Sequence, residues 1–281
     1  MKIKDALQFS LSQLSQHDAA ALESELLLAQ ALDKSRTFLA TWPETILTAP
    51  QERLFKQLVT RRQHGEPIAY ILERREFWDI TLRVTPATLI PRPETELLVE
   101  TALQQIPNTA DWNILDLGTG SGAIALAIAK HRPSCQVTAT DASEEALTVA
   151  QENAARLGLT NVIFHCGNWF AGLAGQRFEV IASNPPYVAA DDPHLKQGDL
   201  RFEPSTALSA GPDGLEDIRR IIENSPRYLT SGGWLMLEHG YDQGDRIRRL
   251  LTSRGFTHVS GQEDLAGIQR LSYGQVERES G

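Results

Sequence analysis

The chain has 281 residues, 41% of them hydrophobic and 22% charged, with a formal net charge of −9 at pH 7. That length supports one large domain or a large and a small one, and its longest clean apolar run, Ala123 to Ala129, is far too short to span a bilayer. Residues 1–90 carry 11 basic and 11 acidic side chains, so residues 91–281 hold the other 16 and 25 and all of the net negative charge; a phosphate-binding face, which needs clustered basic residues, is not expected there.

In chain order, residues 1–75 read as a small all-α N-terminal domain. Leu22, Leu26 and Ala29, and again Leu54, Leu58 and Arg61, recur at helical spacing. Asp18 stands before the clear amphipathic stretch Ala19 to Leu32 and is placed to cap it. Residues 76–90 change character: Glu76 to Val84 alternates and is rich in aromatic and β-branched residues, which predicts a short β-hairpin or extended linker. Pro86, Pro91 and Pro93 punctuate the crossing. From 91 to 281 strands and helices alternate, as in a doubly wound, Rossmann-like α/β sheet. Its closing strands are expected at Gly233 to Glu238, Thr257 to Ser260 and Arg270 to Gln275, the last of them antiparallel.

Four strand ends carry polar or glycine-rich residues suited to chemistry. Strand Asn113 to Leu117 runs into Gly118-Thr119-Gly120-Ser121-Gly122 and then into the helix former Ala123 to Ala129. Such a corner lets a ligand approach the backbone closely and offers it the free N–H groups of a helix start. The same residues also read as a dinucleotide loop, so a nicotinamide cofactor competes at this point. Asp141 ends strand Gln136 to Thr140, where an acid can accept from both hydroxyls of a ribose; an acid favoured by the dipole of the following helix is the plainer reading. Asn168 and Trp169 follow strand Val162 to Cys166, offering an acceptor for an adenine amine and a ring to cover the base, although a tryptophan is often simple packing.

Asn184-Pro185-Pro186-Tyr187 follows the buried strand Phe178 to Ser183. Proline has no backbone N–H, so this corner is rich in acceptors and poor in donors. The Asn184 side-chain carbonyl and the Pro185 backbone carbonyl can together hold both hydrogens of a planar –NH2 group, with Tyr187 against its face. Taken alone, the tetrapeptide serves equally well as a strand terminator. The stretch Val188 to Gly214 is long for a βα loop and suits a lid that admits a chain segment. Cys135 and Cys166 lack metal or redox spacing, and the seven histidines form no ligand array, so no metal is expected.

Together, Asp116 to Gly122, Asn184 to Tyr187 and the upstream Ile90-Pro91-Arg92-Pro93-Glu94-Thr95-Glu96 resemble the peptide chain release factor glutamine methyltransferases, a family of class I S-adenosylmethionine-dependent methyltransferases. The resemblance implies S-adenosylmethionine as cofactor, class I peptide chain release factors as protein partners, and methylation of the glutamine amide in their Gly-Gly-Gln motif in the cytoplasm. It places the cofactor loop on Gly118, Thr119, Gly120, Ser121 and Gly122, the ribose acid on Asp141, the adenine side on Asn168 and Trp169, and the catalytic tetrapeptide on Asn184, Pro185, Pro186 and Tyr187, with Asn184 also beside the cofactor. Asn168 stands where many relatives carry aspartate, which keeps an acceptor and drops a charge. The segment around Glu94 and Glu96 falls near the active site, with no chemical role assigned to either glutamate. Two further readings stay open: an amino-group methyltransferase of DNA or RNA, since those enzymes share Asn-Pro-Pro-Tyr and present the same planar amine on a flipped base, and a non-catalytic nucleotide-binding module.

Overall fold

The computed structural model describes residues 1–277; the last four residues of the expected 91–281 domain lie outside the described residues. The chain divides into two compact units, Met1–Glu73 with Gly198–Phe202, and Arg74–Gln197 with the chain from Glu203 onward.

The first unit is helical: α1 (Ile3–Gln13), α2 (Ala20–Leu32), α3 (Arg36–Thr41), α4 (Ala49–Gln63) and α5 (Ile68–Leu72). Their apolar stripes close on a core that includes Ile3, Leu14, Leu27, Leu28 and Phe55, all fully buried. The expected cap of α2 is corrected here. Ala19 holds the N-cap position and no side chain caps it, because two tight turns, His17 N–H to Leu14 O and Ala20 N–H to His17 O, set the N-cap one residue beyond Asp18. Arg62, almost wholly buried on α4, pairs with Glu23 of α2 at 2.9 Å and with Asp199 at 3.0 Å, which ties the short 198–202 segment into this unit. A buried guanidinium needs such partners, since removing one leaves a charge without water or counter-ion.

The second unit opens with a two-stranded antiparallel hairpin, β1 (Arg75–Phe77) and β2 (Ile80–Leu82), followed by α6 (Glu96–Gln105). Then β3 (Asn113–Leu117), α7 (Ala123–His131), β4 (Gln136–Asp141), α8 (Glu144–Leu157), β5 (Val162–Cys166), β6 (Phe178–Ser183), α9 (Glu216–Asn224), β7 (Leu229–Glu238), α10 (Gly244–Ser253), β8 (Phe256–Glu263) and β9 (Gln269–Val276) build a seven-stranded sheet ordered β5-β4-β3-β6-β7-β9-β8. Strands β3 to β7 are parallel, and β9 runs antiparallel between β7 and β8. Helices cover both faces, so the central strands β3 and β6 are buried almost throughout, and α7 buries every residue from Ala123 to Ala129.

Register fixes the functional edge. Leu117 pairs with Thr140 and with Ser183, Ser183 pairs with Leu237, and Asp141 pairs with Cys166. The next residues, Gly118, Asn184 and Glu238, therefore stand in one row with Asp141 along the carboxyl edge of the sheet, where open α/β sheets bind ligands.

Candidate active site

A cavity of about 440 Å³ opens along that row. It lies within the range of pockets that take a small organic ligand or cofactor. Of the residues singled out from the sequence, Gly118, Thr119, Gly120, Ser121, Asp141, Asn168, Trp169, Asn184 and Pro186 line it. Gly122, Pro185 and Tyr187 are not in its wall. Gly122 starts α7 at φ +90°, and a Cβ there would sit 2.8 Å from Leu126 Cδ1, so it is a packing glycine that lets the helix begin against its own next turn. Tyr187 packs against the core beneath the sheet, its carbonyl accepts from Gln243 Nε2 at 2.9 Å, and burial raises its phenol well above the ordinary value.

The glycine loop is held from both sides by carboxylates. Gly120 N–H donates to Asp141 Oδ2 and Ser143 N–H donates to Asp141 Oδ1, each at 2.9 Å. Asp141 is thus an oriented acceptor at the cavity wall. It does not cap α8: that is done by Ser143, whose hydroxyl accepts from Ala146 N–H at 3.1 Å. Beneath the loop Asp116 is fully buried, accepts from Thr119 Oγ1 at 2.6 Å and from Ala125 N–H at 3.1 Å, and leaves Oδ1 without a partner. Burial pushes its pKa up to about 7, against the pull of those two donors.

Across the cavity Trp169 takes φ +53°, a conformation rare for a bulky side chain, and its ring lies 3.5 Å from the point a Cβ on Gly118 would occupy. Its Nε1 donates to Asp217 Oδ1 at 3.2 Å, which fixes the indole over the loop. Asn168 is exposed at the rim, 3.5 Å from Arg220 Nη1. Asp217, a half-buried cavity-lining acid whose pKa is raised by burial, is a residue the sequence reading missed. It sits in the first turn of a strongly amphipathic helix, where an acid looks like an ordinary partner of the helix dipole.

At the other end, Asn184 Nδ2 donates to Thr95 Oγ1 at 3.1 Å, leaving Oδ1 as the free acceptor of the amide. Thr95 is buried and lines the cavity; Glu238, the last residue of β7, stands one step beyond the Ser183–Leu237 pair, is buried, and has Oε2 without a partner. The neighbouring wall is clamped by Glu203, a fully buried carboxylate that accepts from Ile90 N–H at 3.0 Å and from Arg92. The stretch 188–214 is folded back on itself: Val188 pairs with Ser209 and Ala190 N–H donates to Gly211 O at 2.9 Å. Pro204, Thr206 and Ala207 from this stretch join the cavity wall. Glu96 accepts from Trp78 N–H at 2.9 Å and so fastens the β1–β2 turn rather than facing the cavity. A signal for Glu238 was present in the sequence, an acid ending an otherwise apolar strand at the carboxyl edge. Thr95 lies inside the Ile90–Glu96 segment that the resemblance places near the active site, but nothing local says that its turn meets Asn184.

A seven-stranded sheet with one antiparallel strand near its edge, carrying a glycine corner and a cavity at its carboxyl ends, defines this unit as a methyltransferase. Residues 93–199 match the family model described as the methyltransferase small domain, and residues 5–72 match that described as the PrmC N-terminal domain. A methyltransferase from Pyrococcus furiosus shares the fold, with a TM-score of 0.54 at 20% identity over 78% of this chain and 98% of that one. The release factor glutamine methyltransferase of Pseudomonas aeruginosa is 53% identical over 265 residues, 94% of this chain and 95% of the relative. That of Vibrio cholerae is 48% identical over 280 residues, 99% and 98% of the two chains. This chain belongs to the release factor glutamine methyltransferase family.

Proposed function

We propose that this enzyme methylates the side-chain amide nitrogen of the glutamine in the Gly-Gly-Gln motif of class I peptide chain release factors, using S-adenosylmethionine, with the helical region 1–75 recognising the protein substrate and 91–281 performing the transfer. The observation that carries the reading is the Asn184 amide, tied by its nitrogen to Thr95 with its oxygen left free beside the glycine loop.

The cavity fits the cofactor. Asp141 offers lone pairs to ribose hydroxyls from a position fixed by two backbone N–H groups. Trp169, Ile124 and Ala146 give an apolar wall for a base, and Asn168 and Asp217 supply acceptors at that wall for an exocyclic amine. Within the loop the N–H groups of Thr119, Gly120 and Gly122 are taken by Thr140 O, Asp141 Oδ2 and Thr119 O, so the donors left for the remaining polar groups are those of Gly118 and Ser121. When bound, the cofactor supplies a methyl group on a sulfonium, activated for in-line displacement.

An amide nitrogen is a weak nucleophile because its lone pair is shared with its carbonyl. Of the two acceptors expected from the tetrapeptide, Asn184 lines the cavity and Pro185 does not; Asn184 Oδ1 accepts an amide hydrogen, raises electron density on the nitrogen, and holds it in the attacking direction. Positive charge grows on that nitrogen during transfer, and the Asn184 carbonyl dipole favours it. The amide hydrogens become acidic as this happens, so no dedicated base is required. The stretch 188–214 walls the entry, and exclusion of water strengthens each of these polar contacts. Concentration of the net charge of −9 in residues 91–281 suits a basic protein partner better than a phosphate backbone.

The test is incubation of the protein with methyl-labelled cofactor, purified release factors and DNA, followed by tandem mass spectrometry. Label on the glutamine of Gly-Gly-Gln is the expected result. Label on a DNA base, or on no substrate, overturns the reading.

A further inference from the structure

We propose that Gln243 is a positioning residue for the methyl transfer: its carboxamide holds the Tyr187 carbonyl and so fixes the far end of the segment that presents Asn184. This rests on the reading of Asn184 as the acceptor for the substrate amide.

Beyond the end of β6 the chain has few groups with which to hold itself. Pro185 and Pro186 have no backbone N–H, and each ring limits both its own φ and the conformation of the residue before it. The run from Asn184 to Tyr187 is therefore stiff, and its direction is set at its two ends. The near end is the sheet, where Ser183 pairs with Leu117 and Leu237 and its hydroxyl donates to Leu117 O at 2.8 Å. The far end is the Tyr187 carbonyl, which accepts from Gln243 Nε2 at 2.9 Å.

Gln243 stands at the N-cap of α10 and is 7% exposed. Its amide is used on both sides. Oε1 accepts from Gly240 N–H at 2.9 Å, whereas Nε2 faces two carbonyls, Tyr187 O and, at 3.5 Å, Gly214 O. One N–H on one side and two carbonyls on the other leave the amide a single orientation. Gly214, the last residue of the 188–214 stretch, has φ +69°, and a Cβ there would overlap the Tyr187 oxygen. Three pieces of chain thus meet on one carbonyl: the tetrapeptide, the close of the long loop and the entry to α10. Immediately beyond it, Val188 N–H donates to Leu208 O at 2.9 Å and Ala210 N–H donates to Val188 O at 3.0 Å. The stretch that brings Pro204, Thr206 and Ala207 to the cavity wall therefore leaves from the same anchor.

Neither Gln243 nor Tyr187 belongs to the cavity wall, so the effect of the anchor is on placement and not on contact with a ligand. Placement is what an in-line transfer is sensitive to: a displacement of about 1 Å, caused far from the chemistry, costs on the order of 10²-fold in rate. A stiff segment passes a shift of its anchored end on to Asn184, whose Nδ2 meets Thr95 Oγ1 at 3.1 Å.

The experiment compares Gln243→Met, Gln243→Glu and Gly214→Ala with the parent enzyme by steady-state kinetics on a release factor, by calorimetric titration with cofactor, and by NMR of protein isotope-labelled at tyrosine carbonyls, valine nitrogens and asparagine side chains. The sequence holds a single Tyr-Val pair, Tyr187-Val188, so one signal reports this carbonyl. Gln243→Met removes both bonds. Gln243→Glu keeps the acceptor for Gly240 N–H and turns carboxylate lone pairs on the two carbonyls. Gly214→Ala leaves Gln243 intact and displaces the Tyr187 carbonyl from the other side. Each should lower kcat by about 10- to 10²-fold, with KM for the release factor and the cofactor dissociation constant within about twofold of the parent, and Gln243→Glu should be slower than Gln243→Met. A residue that served only to close the turn before α10 would give the reverse order, because Gln243→Glu retains that bond. Calorimetric stoichiometry counts the folded sites, so kcat is taken per bound cofactor. The Tyr187 carbonyl signal and the Asn184 amide signals should shift together in all three variants. Those shifts do not depend on the substrate, so absence of glutamine methylation by the parent enzyme would sink the functional reading alone. A kcat per folded site equal to that of the parent in Gln243→Glu or Gly214→Ala, the reverse order of the two Gln243 variants, or Asn184 signals that stay in place while the Tyr187 carbonyl signal moves overturns the positioning role.

Discussion

Asp141 and Glu238 stand at the same edge of the sheet, at the ends of β4 and β7, and are treated in opposite ways. Asp141 is partly open, and both of its oxygens are met by backbone N–H groups, at 2.9 Å each. Its orientation is fixed by the fold and its remaining lone pairs face the cavity. Glu238 is buried, and its Oε2 is without a partner. One edge thus holds two kinds of acid: one whose oxygens are met by the backbone while its outer lone pairs face the cavity, and one kept away from water with an oxygen unmet. Between them Asp116 belongs with Glu238 in burial and with Asp141 in purpose, since it ties the start of the glycine loop and the first turn of α7 together from below.

The strongest way to break the contrast is at the residue between the two acids. Asn184→Ala should reduce kcat by about 10²- to 10³-fold, as loss of a preorganised dipole at the reacting centre does, while the cofactor dissociation constant moves little. Comparable turnover in the variant would remove the role given to Asn184. Asp141→Ala should show the reverse pattern. Losing charge-assisted bonds to hydroxyls should weaken cofactor binding roughly 10- to 100-fold, measured by calorimetry. A dissociation constant equal to that of the parent would detach Asp141 from the ribose.

The smallest effect is on stability and it sharpens the difference in burial. Asp116 and Glu238 are both raised to about 7 from ordinary values near 4. Between those limits the folded protein keeps protons that the unfolded chain has lost, so each group makes the fold less stable as pH rises through the window, by up to about 1.4 kcal/mol per pH unit. Above 7 the effect levels off. His239, buried near Arg248 and Arg270 with its pKa lowered, acts in the opposite direction, so the difference between variant and parent is the useful quantity. Urea unfolding at pH 5 and pH 8 should show Asp116→Asn gaining stability relative to the parent at the higher pH. A constant difference across the two would mean that Asp116 is already ionised at pH 5.

Much of the architecture was legible because its signals are local. Strands Asn113–Leu117 and Phe178–Ser183 coincide with the expected runs because they lie inside the sheet and are buried along almost their whole length, and the edge strand Val162–Cys166, only partly buried, coincides as well. The antiparallel β9 was expected too. Helix caps were less legible: Asp18 has the right chemistry one residue too early, and two tight turns decided the matter. In the cavity, Gly118 to Ser121, Asp141, Asn168, Trp169, Asn184 and Pro186 came from short motifs at strand ends and do share one wall. Gly122, Pro185 and Tyr187 belong to the same motifs but point their bulk elsewhere. Thr95, Asp217, Glu203 and Glu238 were invisible as partners because they are brought together only by strand register and the packing of α6 and α9. The tetrapeptide announces an acceptor, and the long-range neighbours determine which way it faces.

The most direct measurement uses a release-factor fragment in two versions, with glutamine or with glutamate in the Gly-Gly-Gln position, under single-turnover conditions with labelled donor. An edge that offers only acceptors holds a –NH2 group and repels a carboxylate, so label should enter the glutamine version rapidly and the glutamate version not at all. Equal labelling of both at that residue would contradict the account, because it would mean that the Asn184 corner does not select its substrate by gripping hydrogens.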